Sequence, residues 1–278
     1  MMSVLRLAWQ AFKPDWVRAW QTKRHSLSFE GPFQSWQHAR SRSRGYDDKH
    51  ILNLTIRAAR RVVTGQAAYD RDTVTFNTPQ PDVVLLLVLS QVTRDKDSGL
   101  CVLDFGGSLG STYRQNRAFL TGPLKLEWHI IEQPAFAEAG AYEFASPELH
   151  FHSQLETALA CCTPDFLLLS SVLQYLEHET TLASLTRLPV KCALITRTPF
   201  WDGDHDFIVI QNVPTCIYKG SYPMRIFSRS KMLERWEKAG MVVATAPAPE
   251  GGFSVSGIAF TFETWTLRPS ANIGRQPS

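Results

Sequence analysis

Cys101-Val102-Leu103-Asp104-Phe105-Gly106-Gly107-Ser108-Leu109-Gly110-Ser111 is the stretch whose reading decides the fold. An apolar strand runs into an acidic residue, then a glycine turn, then the start of a helix. Glycine admits left-handed backbone angles and lets a ligand come close to the main chain, and a helix start offers free N–H groups. The dinucleotide fingerprint needs glycine at 106, 108 and 111, but serine stands at 108 and 111, which argues against a nicotinamide site. A P-loop would need Gly-Lys-Ser/Thr, which is absent. The pattern that fits is acidic-x-Gly-x-Gly/Ser-x-Gly, met by Asp104, Gly106, Ser108 and Gly110. A purely structural strand-to-helix turn is the plain alternative.

Glu132 sharpens the reading. It ends the next strand, Trp128-His129-Ile130-Ile131-Glu132, and lies 22 residues beyond Gly110. Adjacent parallel strands end side by side, so its carboxylate can reach the ribose diol of a ligand held by the glycine turn. Together the two features favour an adenosyl ligand.

Outward from this turn the chain alternates. Strands are predicted at 100–104, 126–131, 149–152, 165–170, 191–196, 241–246 and 258–265, and helices at 111–120, 134–144, 155–161, 182–188 and 230–239. Such alternation means βαβ units, hence a parallel sheet with helices on both faces. The expected fold is α/β, a doubly wound, mostly parallel, seven-stranded Rossmann-like sheet with an N-terminal helical extension.

Upstream, helices are predicted over 47–63 and 81–92, and 29–46 reads as irregular. Residues 3–24 read as a helix in which Leu5, Trp9, Phe12, Trp16 and Trp20 form one aromatic stripe among basic residues, with Pro14 as a break. That stripe either packs on the body of the protein or lies on an anionic membrane surface. Residues 1–61 carry 12 Lys and Arg against 4 Asp and Glu, so a basic arm precedes a mildly acidic body. The division expected is 1–80 as basic helical arm and lid, 81–268 as the main domain, and 269–278 as a frayed tail.

Composition excludes several classes. With 44% hydrophobic and 20% charged residues, disorder, collagen and coiled coil are poor matches. The longest clean apolar run, 83–89, is too short to span a membrane. The N-terminus lacks a signal-peptide cleavage pattern. The 5 cysteines show no CxxC or Cys/His spacing, so no metal is expected and they read as reduced thiols of a cytoplasmic protein. Contact with the inner face of the membrane through residues 1–26 stays open.

The runs VLDFGGSLGSTYRQNRAFL (102–120), IIEQPAF (130–136), LLLSSVLQYLE (167–177), TRTPF (196–200), VPTCIY (213–218) and SYP (221–223) resemble one family of bacterial class I S-adenosylmethionine-dependent methyltransferases. So do GYD (45–47) and YDRD (69–72) upstream. The resemblance spans about residues 29–265, in order. It implies S-adenosyl-L-methionine as cofactor. The family's association with cell-surface polysaccharide genes implies a sugar or related polar acceptor, methylated on a hydroxyl. One departure matters: the family usually carries Asp where Thr196 stands. A non-catalytic adenosyl-binding or scaffold protein is therefore the alternative. A nucleic-acid methyltransferase is less favoured, because the Asn/Asp-Pro-Pro-Tyr/Phe sequence common in enzymes acting on base nitrogens is absent, and no nucleic-acid partner is expected.

Site candidates follow from position in that fold. Asp104, Gly106, Gly107, Ser108, Gly110, Tyr113, Glu132, Gln133, Ser153 and Ser171 are expected around the cofactor. Gln174, Tyr175, Arg197, Tyr218 and Tyr222 are expected toward the acceptor, the last two on a connection of some thirty residues, 199–229. His205, His178 and Asp202 are the candidates by position for a base, and the acidic run 202–206 reads as a solvated turn.

Overall fold

The computed structural model describes residues 27–44, 49–93, 99–120, 125–213, 217–218 and 220–270. The aromatic stripe within 3–24, Gly45-Tyr46-Asp47, the Pro214-Thr215-Cys216 run and the tail after residue 270 lie outside these. Among the described residues, no helix is long and apolar enough to cross a membrane.

In chain order the elements are β1 (Ser28–Phe33), α1 (Trp36–Arg42), α2 (Lys49–Val63), β2 (Tyr69–Arg71), β3 (Val74–Phe76), α3 (Val83–Thr93), β4 (Leu100–Phe105), α4 (Ser111–Arg117), β5 (Leu126–Ile131), α5 (Pro134–Glu143), β6 (Leu149–His152), α6 (Leu155–Cys161) and β7 (Phe166–Ser170). A single 3-10 turn (Leu173–Tyr175) follows, then α7 (Glu179–Thr186), β8 (Cys192–Trp201), β9 (Phe207–Asn212), β10 (Ser221–Ser228), α8 (Arg229–Lys238), β11 (Met241–Val255) and β12 (Ile258–Pro269).

The central sheet runs β6-β5-β4-β7-β8-β12-β11. β4 through β8 are parallel to their neighbours, and β12 inserts antiparallel between β8 and β11. The strands alternate between two apolar layers, as the period of two requires. Leu103, Leu167, Leu169 and Ile195 pack on one face with Trp236 and Trp265, while Val102, Leu168 and Leu194 pack on the other with Leu85 and Trp128. Burial on both faces explains why β4 and β7 read as unbroken apolar runs. This is the doubly wound Rossmann-like sheet expected; each of the seven predicted strands is present, β8 and β11 run on to Trp201 and Val255, and β1, β9 and β10 extend the sheet to ten strands.

Three segments differ from expectation. The described part of 29–46, residues 29–44, is not irregular. β1 pairs antiparallel with β9, and Ser35 caps α1 by accepting from the His38 N–H at 3.1 Å. Nor are the described residues of 199–229 a loose connection. β8 continues to Trp201, and β9 and β10 form an antiparallel pair, with β10 joining the end of β8 at Phe227↔Phe200. The joint in β8 is Arg197, a non-glycine residue at φ 56. There the strand leaves β7, whose pairing ends at Ser170↔Thr196, and turns toward β10. Finally, β2 and β3 form a separate hairpin that holds Asp70 and Arg71 buried. β1 falls within the stretch assigned to the arm, yet it is hydrogen-bonded into the same sheet as β8.

Candidate functional site: a cleft at the carboxyl ends of the strands

The turn after β4 is built by backbone conformation. Gly106 has φ 77, and a Cβ there would sit 2.4 Å from Val172 Cγ2. A Cβ at Gly107 would sit 2.6 Å from Asp104 Cγ, so the turn folds directly over the Asp104 carboxyl group. Ser108 also takes a left-handed angle, φ 54, and Gly110 at φ 88 caps α4. Asp104 is buried, and its Oδ2 accepts from the Trp128 indole N–H at 3.0 Å. Burial pushes its pKa up to about 7, against the lowering effect of that hydrogen bond.

Glu132, at the end of β5, bridges to this turn. Its Oε1 accepts from the Ser108 N–H at 3.2 Å and its Oε2 from the Gln133 N–H at 2.8 Å. Burial raises its pKa, and the two backbone donors oppose the rise. A carboxylate held this way lines the cleft between β4 and β5 together with Ser111, Thr112 and Phe136.

The other half of the cleft is assembled by ion pairs. Arg197 donates from Nε to Glu250 Oε1 at 2.6 Å and from Nη2 to Asp72 Oδ2 at 2.9 Å. Burial alone would lower the Arg197 pKa; the two carboxylates outweigh it and keep the guanidinium charged. Asp72 sits on the hairpin turn at φ 50, its side chain 40% exposed, whereas the Glu250 side chain is only 4% exposed. Around them stand three phenols. Tyr175 donates to Gln211 Oε1 at 3.0 Å and meets Tyr222 edge to face, and the Tyr218 and Tyr222 hydroxyls lie 3.2 Å apart. Burial pushes the Tyr175 pKa up to about 12 and raises that of Tyr218, so both stay neutral.

At the floor, Thr196 Oγ1 donates to Ser170 Oγ at 2.9 Å, so an uncharged hydroxyl pair occupies the position where the resembled family carries Asp. Asp70 and Arg114 pair at 3.2 Å beneath the wall, and Arg71 donates to Gln115 Oε1 at 2.6 Å.

The cleft thus gathers Asp104, Gly106, Gly107, Ser108, Glu132, Ser171, Tyr175, Arg197, Tyr218 and Tyr222. Other sequence candidates lie elsewhere. Tyr113 points away, its hydroxyl bonded to Glu148 Oε2 at 2.9 Å and its ring against Trp128. Ser153 is exposed. Gln133 contributes a backbone N–H to Glu132, and Gly110 packs toward Leu149. Gln174 is fully buried as a strut, donating to Ser171 Oγ and the Arg197 carbonyl, both at 3.1 Å. The three base candidates are outside the cleft. His205 is exposed and bonded to Asp204, Asp202 pairs with Arg229, and His178 stands at the N-cap of α7. β9 and β10 carry that region away, because it is sheet rather than a loop over the cleft. The residues sequence reasoning missed are Asp72 and Glu250. Tyr69-Asp70-Arg71-Asp72 was visible as a run, but only the fold brings it to Arg197.

No family model matches the sequence, and no protein with a curated description matches it. Among solved structures, it is similar to the N-terminal domain of EvdMO1, crystallised in the presence of SAH and D-fucose. That match has 14% identity and a TM-score of 0.48, over 82% of this chain and 100% of that one. It is also similar to SAM-bound CalS10, an amino pentose methyltransferase from Micromonospora echinaspora, at 11% identity and a TM-score of 0.40, over 66% and 89% of the two chains. The glycopeptide N-methyltransferase MtfA, complexed with SAM, matches at 12% identity and a TM-score of 0.41, over 66% and 87%.

Proposed function

We propose that this protein is an S-adenosylmethionine-dependent methyltransferase that methylates a hydroxyl of a sugar or related polar metabolite. The observation that carries the reading is the Glu132 carboxylate held against the Ser108 N–H across the ends of β4 and β5. That geometry suits a ribose diol lying over the turn, each hydroxyl donating to the carboxylate. The bound cofactor supplies an electrophilic methyl group on a sulfonium. What the chain contributes is alignment, with the acceptor oxygen brought in line with methyl and sulfur.

The acceptor half supports a polar substrate. The Tyr175, Tyr218 and Tyr222 side chains, the Arg197 guanidinium and the open edge of Asp72 all line the cleft. Asp72 is the more exposed of the two carboxylates on Arg197, 40% against 4% for Glu250, and we assign it the proton of the acceptor hydroxyl. Arg197 holds it in place.

Calorimetry should show binding of S-adenosylmethionine and S-adenosylhomocysteine, and labelled methyl should transfer to a hydroxylated sugar from a panel. Asp72→Asn should lower turnover by roughly 10²–10⁴-fold, the range for a positioned base, with cofactor affinity unchanged. Absence of binding to either adenosyl compound would sink the whole reading. The Thr196–Ser170 pair favours a second reading, an adenosyl-binding protein without turnover. Tight cofactor binding with no transfer to any acceptor would select it.

A further inference from the structure

At the opposite end of the sheet from the cleft, three elements converge on a second cluster. Cys101 is the second residue of β4, His129 lies on β5 and Cys162 follows α6 as its C-cap. One ligand atom from each lies within 4.8 Å of the other two. The His129 side chain is 5% exposed, and its Nε2 is buried with no hydrogen-bond partner. Its Nδ1 lies 2.9 Å from His152 Nε2. With the proton on Nδ1 donated to His152, Nε2 presents a lone pair to the two sulfurs. This is the arrangement by which an outer hydrogen bond fixes the tautomer of a metal-ligating histidine.

We propose that Cys101, His129 and Cys162 bind a thiophilic divalent metal, zinc, stapling the end of α6 to β4 and β5. Two thiolates and one imidazole are the donor set that suits zinc. A tetrahedral zinc with Zn–S of about 2.3 Å holds its sulfurs ~3.8 Å apart, so the cluster needs to close by at most about 1 Å. The fourth position faces Glu127, whose Oε2 lies 4.0 Å from His129 Nε2 and whose Oε1 pairs with Lys125 at 2.9 Å. Binding releases the two thiol protons to solvent, and two thiolates against one dication leave the core of the site neutral. Cys161, next in sequence and exposed, is not part of the cluster.

The test uses the full chain, purified without a histidine tag and reduced, then titrated with zinc chloride and separately with cobalt chloride. The expected result is one metal per chain, and a thiolate-to-cobalt charge-transfer band in the near ultraviolet. Affinity should drop at least tenfold in Cys162→Ser and in His129→Gln, and stay unchanged in Cys161→Ser. A chelator should lower the Tm of the wild-type chain but not that of Cys162→Ser. Cys162 is only partly buried, so its serine variant keeps the fold, which circular dichroism checks. No charge-transfer band, or equal metal uptake by Cys162→Ser, would overturn the proposal. So would a Cys101–Cys162 disulfide in the isolated protein combined with no metal uptake after reduction.

Discussion

The two halves of the cleft are held together by different means. The half around Gly106 and Glu132 is made of main-chain conformation. Left-handed angles at Gly106, Ser108 and Gly110 and backbone N–H groups shape it, and its parts lie within about thirty residues of one another. The half around Arg197 is made of side-chain charge, and its parts, Asp72, Arg197 and Glu250, come from distant segments. The first is therefore vulnerable to added volume and the second to lost charge.

The strongest way to break the contrast is Gly106→Val. The added atoms would collide with Val172 from a Cβ only 2.4 Å away, at a backbone angle that valine rarely adopts. Calorimetry should then show no S-adenosylmethionine binding, while the Arg197 network stays intact. Arg197→Met is the matching break on the other side. It strands the Glu250 carboxylate, and losing one partner of a buried pair costs about 3–5 kcal/mol. The Asp72 arm adds less, because its side chain is 40% exposed and screened. Urea unfolding should register the loss, and adding Glu250→Gln should recover part of it. If the double variant is no better than the single, the ion pair is not what holds this half.

Asp104 sharpens the comparison through pH. Its folded pKa of about 7 lies above the ordinary 3.8, so the folded state binds this proton more tightly than the unfolded chain does. Its contribution is fully present below about pH 4 and is lost as pH rises through 7. Between about pH 5 and pH 8 the loss should be on the order of 2–3 kcal/mol. Asp104→Asn should flatten that slope in urea titrations; an unchanged slope would mean that the carboxyl group is not desolvated as described. The smallest effect expected is that of Glu132→Ala, a weakening of cofactor binding by about 1.5–3 kcal/mol with little change in fold.

The same contrast decides what was readable from the sequence. The seven central strands and the glycine turn are local signals: continuous apolar runs, and glycines at fixed offsets from an acid. β1, β9 and β10 were not legible, because Gly31-Pro32 and Tyr222-Pro223 interrupt their patterns and their pairing is long-range. Glu250 lies in a Pro/Gly-rich run that carries no signal until β11 is seen extending to Val255. Tyr113 was placed near the cofactor by proximity in sequence, but successive helical positions face different ways, and its own faces Glu148. The Cys101, His129 and Cys162 cluster has no spacing motif, since each residue comes from a different element.

The pairing of β1 with β9 has a consequence during synthesis. Ser28 meets Asn212, a partner roughly 180 residues later in the chain. At ribosomal rates of about 5–20 residues per second, the N-terminal strand waits roughly 10–40 s for its neighbour to emerge. Through that interval an edge with unpaired N–H and C=O groups is open to the wrong strand. Nascent chains stalled before residue 207 should therefore be the ones that chaperones hold, and those extended past 228 the ones they release.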